Sequence, residues 1–181
     1  IEEYVNKMVF KDESKLMAKI AMELGDFYHI EPKYPSYNGN GIIRMLYYYQ
    51  LEDKDHDLDF VGLPPYEDDY FDRVLTHVYK YQDLLAQVDL KCEDGELVVG
   101  EYNLAIRMLI HGAMLGKYKQ QKKEDRAQLW GLYDDIQTII ADYRKCWLMR
   151  NRNVGLDESL YKLYELKRQY QQHLGVGHVK I

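Results

Sequence analysis

Proline is scarce in this chain of 181 residues, with only Pro32, Pro35, Pro64 and Pro65 present, so few positions are barred from helix by a locked φ or a missing N–H. Cysteine is scarcer. Cys92 and Cys146 are its two, too few for a disulfide scaffold and too far apart in sequence for a metal knuckle, so both read as free thiols. No apolar run approaches the ~18 residues that cross a bilayer as a helix, and no membrane partner is expected. Positive charge is in deficit: 24 Lys and Arg stand against 30 Asp and Glu, for a net charge of -6. A phosphate-binding surface needs a basic field, so no nucleic-acid partner is expected either. The one basic cluster, Lys117, Lys119, Lys122 and Lys123, runs straight into Glu124 and Asp125 and reads as a solvated helix end. Also missing are a Gly-x-Ser-x-Gly elbow, any Glu-x-x-His or His-Glu-x-x-His pair, and a glycine-rich phosphate loop followed by Lys-Ser/Thr.

What is present is helical periodicity. Hydrophobic residues make up 46% of the chain, and most recur at three-and-four spacing, which places them on one face of a helix. A first helix is predicted over 14–30, with Leu16, Met17, Ile20, Leu24 and Phe27 as its stripe. A second, over 42–50, follows the Asn38-Gly39-Asn40-Gly41 turn. An acidic connector over 52–59 leads to Gly62-Leu63-Pro64-Pro65, after which Glu67, Asp68 and Asp69 suit the first turn of a third helix. That helix carries Phe71, Val74, Leu75, Val78 and Leu85. Glu96-Leu97-Val98-Val99 is the one strand-like run, but it is short and unpartnered, and is treated as a linker or helix start.

A helix over 102–119 has apolar residues on more than one side, among them Leu104, Ile106, Met108, Leu109 and Met114, which marks it as central. Two more follow, over 124–150 and 156–174. The tail 175–181 reads as frayed. No repeat, low-complexity tract or interdomain linker divides the chain. The expected fold is all-α: a single helical-bundle domain of about six helices over 1–181, long enough to bury roughly two-thirds of its unfolded surface.

Few residues suggest chemistry. Asp53, Asp55 and Asp57 have the one, three, five spacing of a calcium loop, but Leu58 stands where that loop needs Gly and Pro64 where it needs a bidentate Glu. No metal site and no cofactor is assigned. His29, His77 and His111 read as partly buried, hydrogen-bonded helix residues. Tyrosine is the compositional excess, with eighteen copies. Three of them are consecutive, Tyr47, Tyr48 and Tyr49; positions ~100° apart on a helix cannot all enter one core, so at least one faces solvent or a partner. Tyrosines favour protein contacts, and they also stack on sugars.

The most informative segment is 147–159, which joins the last two helices. It reads Trp147-Leu148, Arg150-Asn151-Arg152, Gly155-Leu156 and Asp157-Glu158-Ser159: an aromatic, a basic corner, a helix break and an acidic helix start. This run resembles the C-terminal end of bacterial family 20 glycoside hydrolases, the β-N-acetylhexosaminidases. A weaker similarity lies in Glu23-Leu24-Gly25-Asp26-Phe27-Tyr28 followed by Asn38-Gly39-Asn40. The resemblance implies a non-catalytic helical scaffold or interface domain, the C-terminal part of a longer multidomain enzyme.

In such an enzyme, terminal N-acetylhexosamines are removed by substrate-assisted catalysis in a separate barrel. The partner implied is that barrel in the same chain, and a homodimer interface is open besides. The family's catalytic Asp-Glu pair sits in a His-x-Gly-Gly-Asp-Glu context, whereas Asp157-Glu158 opens a helix, so no catalytic residue is assigned. A start at Ile1, without Met or a signal segment, fits a fragment; any address signal would lie upstream, and a cytoplasmic location is expected. Candidate interdomain or partner contacts are Tyr47, Tyr48, Tyr49, Trp147, Arg150 and Arg152. For the two arginines, satisfying helix-end carbonyls is the alternative role. Two other readings of the whole chain stay open: a free-standing interaction module with a tyrosine-rich face, and a carbohydrate-binding domain.

Overall fold

The computed structural model describes residues 1–26, 42, 46–47, 67–121 and 124–176. Helix α1, Glu2–Tyr4, continues into a π-helical run over Val5–Phe10 that ends at Lys11 with a left-handed φ of 48°. The others are α2 (Met17–Glu23), α3 (Tyr70–Leu85), α4 (Gly95–Gln120), α5 (Arg126–Arg150) and α6 (Leu156–Leu174). The described residues therefore form an all-α fold, as the periodicity predicts, with these six helical segments besides the helical Ile42, Leu46 and Tyr47. Their one β feature is an isolated antiparallel bridge between Asp12 and Leu90.

Boundaries depart from expectation where local chemistry outweighs the apolar pattern. The first predicted helix starts late, at Met17, because Asp12 organises the turn before it. Its Oδ1 accepts from the Ser14 N–H at 2.9 Å, the Ser14 hydroxyl at 2.6 Å and the Asp89 N–H at 3.3 Å. Its Oδ2 accepts from the Leu16 and Met17 N–H groups, both at 2.8 Å. Asn6 completes the cap, accepting from the Ala18 N–H at 2.8 Å and donating to the Lys15 carbonyl at 2.9 Å. Burial pushes the Asp12 carboxyl up, but the Ser14 hydroxyl and three backbone N–H groups outweigh it and hold the carboxyl below 3.8. Asp12→Ala should lower stability by about 2 kcal/mol, the upper end for a lost helix cap, since several buried donors lose their acceptor at once. A urea midpoint unchanged from the parent would contradict this.

Helix α4 opens seven residues before the predicted 102, so residues 96–99 are its first turn and not a strand. Asp125 caps α5, its Oδ1 accepting from the N–H groups of Ala127 and Gln128 at 3.0 and 3.1 Å. The predicted second helix is described only at Ile42, Leu46 and Tyr47, which are helical. Its remainder, the acidic connector and most of the tail lie outside the described residues.

Two apolar cores share α4. The first joins α2 and α3 to one side of it, with Met17, Ile20, Phe71, Val78, Ile106 and Ala113 among its buried members. The second joins α5 and α6 to the other, through Met108, Leu115, Leu132, Ile136, Leu160 and Tyr170. A helix apolar on two sides is what such a position requires. Gly112 and Gly116 let neighbours approach it closely: a Cβ at 112 would lie 2.7 Å from the Ile42 carbonyl oxygen, and one at 116 would overlap the Phe71 ring.

Candidate functional site

Helices α4, α5 and α6 bring together a polar network that sequence reasoning did not single out. Arg107 and His111 lie four residues apart on α4, and so share a face. Asp135 faces them from α5. Arg107 Nε donates to Asp135 Oδ1 at 2.7 Å, and His111 Nδ1 meets Asp135 Oδ2 at 2.8 Å. A carboxylate only accepts, so Nδ1 carries the hydrogen and Nε2 faces the Tyr170 hydroxyl, 3.0 Å away on α6.

Asp142, two turns along α5, lies 3.6 Å from Arg107 Nη1. The His111 side chain is fully buried and the Asp135 side chain is 28% exposed. Burial raises the Asp135 carboxyl, but the hydrogen bonds and charges of His111 and Arg107 prevail and hold it below 3.8. Burial, together with the Asp135 charge, lifts the Tyr170 phenol well above 10.0. The network can hold charge and fix geometry in the interior. Its members consume one another's bonding capacity.

Beside it lies a groove of about 1340 Å³, floored by α4 and walled by α3 and α5. Arg107, His111, Asp135 and Asp142 line it, as do Leu104, Ile110 and Met114. Cys92 and Cys146 also line it and are free, as expected. Burial, with the charges of Glu101 and Asp142, raises the Cys146 thiol, which works against a reactive thiolate.

The 147–159 corner is closed by its own residues. Trp147 Nε1 donates to the Arg152 carbonyl at 2.9 Å, and the Trp147 ring stacks on Tyr143 with centroids 6.2 Å apart. Gly155 holds a left-handed φ of 84°, and a Cβ there would sit 3.6 Å from the Trp147 ring. Ser159 bonds back to the Gly155 carbonyl through both its N–H and its hydroxyl, at 3.0 and 2.8 Å. Arg144 reaches Asp157 at 3.3 Å and the Tyr164 hydroxyl at 3.2 Å. Asp157 and Glu158 occupy the first turn of α6.

The candidate contacts from the sequence that are described, Tyr47, Trp147, Arg150 and Arg152, sit in different settings. Arg150 grips Glu101 in a two-pronged pair at 2.5 and 2.9 Å and reaches Asp94 at 3.0 Å, tying the end of α5 to the start of α4. Its guanidinium therefore bridges carboxylates of its own domain, and the Glu101 and Asp94 contacts raise its pKa further. Tyr47 and Trp147 are half-buried against the second core. Arg152 is exposed, and Tyr48 and Tyr49 lie outside the described residues. Of the histidines, His77 is half-buried against Tyr81, with ring centroids 4.7 Å apart, and His29 lies outside the described residues.

Among the described residues, no group of three or more His, Cys, Asp or Glu side chains could hold a metal ion, and no helix is long and apolar enough to cross a membrane. The 107/111 and 135/142 spacings each mark one helix face in the sequence, but nothing there states that the two faces meet. No family model, curated protein or solved structure matches this chain.

Proposed function

We propose that this chain is the non-catalytic helical domain of an exo-acting β-N-acetylhexosaminidase, a scaffold for a catalytic barrel that cleaves terminal N-acetylhexosamines. The resemblance of residues 147–159 motivates the reading, and the corner's internal economy supports it. Trp147, Arg150, Gly155, Asp157 and Ser159 each have a structural partner inside the domain. A motif spent on closing a helix–helix corner is what a scaffold needs, and it leaves Asp157-Glu158 in a first helical turn. The work of protonating a glycosidic oxygen and orienting an acetamido group then falls to another domain. A cytoplasmic location belongs to the same proposal.

The test uses a chromogenic N-acetylglucosaminide. Residues 1–181 alone should give no turnover above buffer, while a longer parent carrying an upstream barrel should hydrolyse it. Turnover by 1–181 would refute the scaffold role, and an inactive intact parent would refute the family. The open groove favours a second reading, a helical interaction module.

A further inference from the structure

We propose that the outer face of α6 is a self-pairing surface, across which a second copy of this chain lays its own α6 antiparallel about a two-fold axis. Register is the first argument. Asp157, Tyr161, Tyr164 and Arg168 follow one another at intervals of four, three and four residues, so they form one stripe along the helix with the spacing of a coiled-coil seam. That pattern reads the same in both directions. An antiparallel copy centred between 161 and 164 therefore sets Tyr161 against Tyr164 of the second copy, and Asp157 against its Arg168. A two-fold contact is isologous, so each pairing occurs twice.

Charge selects this mate. Asp157 lies in the first turn of α6 and Arg168 in its second half, so the stripe runs from acid to base, and an antiparallel copy sets acid against base at both ends. A parallel copy would set Asp157 on Asp157 and Arg168 on Arg168. The Asp157 side chain is 80% exposed, and Arg144 reaches its Oδ1 at 3.3 Å. A carboxylate has two oxygens and about four acceptor sites, so Oδ2 can take a guanidinium from the second copy while Oδ1 keeps Arg144.

The two tyrosines are held in place within each copy. Tyr164 is 37% exposed and its hydroxyl accepts from Arg144 Nη1 at 3.2 Å. Tyr161 is 55% exposed and its hydroxyl donates to Glu165 Oε1 at 2.9 Å, while Lys162 donates to Glu165 Oε2 at 3.1 Å. Rings fixed in this way lose little further freedom on association, and tyrosine is among the residues that carry contact energy. On the other side of the helix, Leu156, Leu160, Leu163 and Tyr170 are buried in the second core, which fixes the direction in which the stripe faces. The seam from Asp157 to Arg168 is roughly 16 Å long at ~1.5 Å per residue. A contact that short falls below standard interface size, so the dimer is weak, with a Kd on the order of 50 µM.

Sedimentation velocity of the 181-residue protein between about 10 µM and about 1 mM should show a monomer–dimer equilibrium that added NaCl weakens, since the end pairs are exposed. Tyr161→Ala should weaken it about tenfold. Arg168→Glu alone and Asp157→Lys alone should each stay monomeric, because each sets like charges together at both ends of the seam. Mixed one to one, the two variants should dimerise, because the mixed pair sets unlike charges together at both ends. Should either charge variant fail to fold by circular dichroism, Tyr161→Ala decides.

The proposal is overturned if the protein stays monomeric throughout that range, or if it dimerises with an affinity that Tyr161→Ala leaves unchanged, which would place the contact on another surface. It is equally overturned if the two folded charge variants do not pair when mixed, or if N-acetylglucosamine shifts the Tyr161 and Tyr164 ring resonances of a protein that stays monomeric, which would mark a sugar-stacking face. None of these readouts depends on a hydrolase parent.

Discussion

Replacing Asp135 with alanine is expected to cost about 3 kcal/mol, among the largest effects of any polar substitution in the domain. The carboxylate is the common acceptor for Arg107 and His111. Its loss leaves the fully buried His111 with an Nδ1 hydrogen and no acceptor, and leaves Arg107 only the longer contact to Asp142 at 3.6 Å. A stranded buried donor carries its whole desolvation penalty, which is why one truncation is worth more than one hydrogen bond. Asp135→Asn keeps the shape and one acceptor oxygen, and should lose less.

The sign of the pH dependence follows from the direction of the shift. The carboxyl is held below 3.8 in the fold, so its stabilising contribution is complete above that value and is lost as pH falls through the lower folded one. The parent should therefore lose more stability than Asp135→Asn between about pH 5 and pH 2. Asp12, depressed in the same direction, continues to contribute in both. Urea midpoints across that range decide it, and parallel acid limbs would mean that Asp135 is not held ionised by its neighbours.

Four glycines should split into two pairs of opposite sign when changed to alanine. At Gly112 the new methyl would stand 2.7 Å from the Ile42 carbonyl oxygen and 2.7 Å from its Cγ2, and at Gly116 it would enter the Phe71 ring. Backbone cannot swing aside as a side-chain tip can, and overpacking of this kind costs roughly 1–3 kcal/mol even after the better helix propensity of alanine is counted. Gly100→Ala and Gly131→Ala meet nothing within 4 Å among the described residues, and should stabilise the isolated domain by up to about 1 kcal/mol. Thermal midpoints of the four variants provide the measurement. A fall for Gly131→Ala as large as that for Gly112→Ala would show that propensity and sterics are not what separates the pairs.

The helices were legible because their stripes are regular: Phe71, Val74, Leu75 and Val78, and again Leu129, Leu132, Ile136 and Ile140, are all buried. α6 could be read to its ends because Gly155 and Gly175 punctuate it. The start of α4 was not legible, since Val98 and Val99 favour strands and only packing keeps them helical. Residues 1–10 gave no signal because a π-helical run has no 3.6-residue stripe, and its one buried side chain is polar Asn6. Tyr170 was missed because a tyrosine in a charged stretch looks exposed; its burial is made tolerable by His111, 59 residues away. Sequence spacing reports which residues share a face, but which faces meet is decided by the tertiary fold. That is also why Glu101 and Asp94, the carboxylates that Arg150 reaches within the domain, could not be named from the sequence around it.

The position of α4 between two cores has a thermodynamic consequence. Ile106, Leu109 and Ala113 belong to the first core and Met108 and Leu115 to the second, all within one continuous helix. Neither core can come apart without exposing a flank of the helix that walls the other. The α2–α3 side and the α5–α6 side are thereby joined into one cooperative unit, and a substitution that destabilises either core lowers the unfolding free energy of both together.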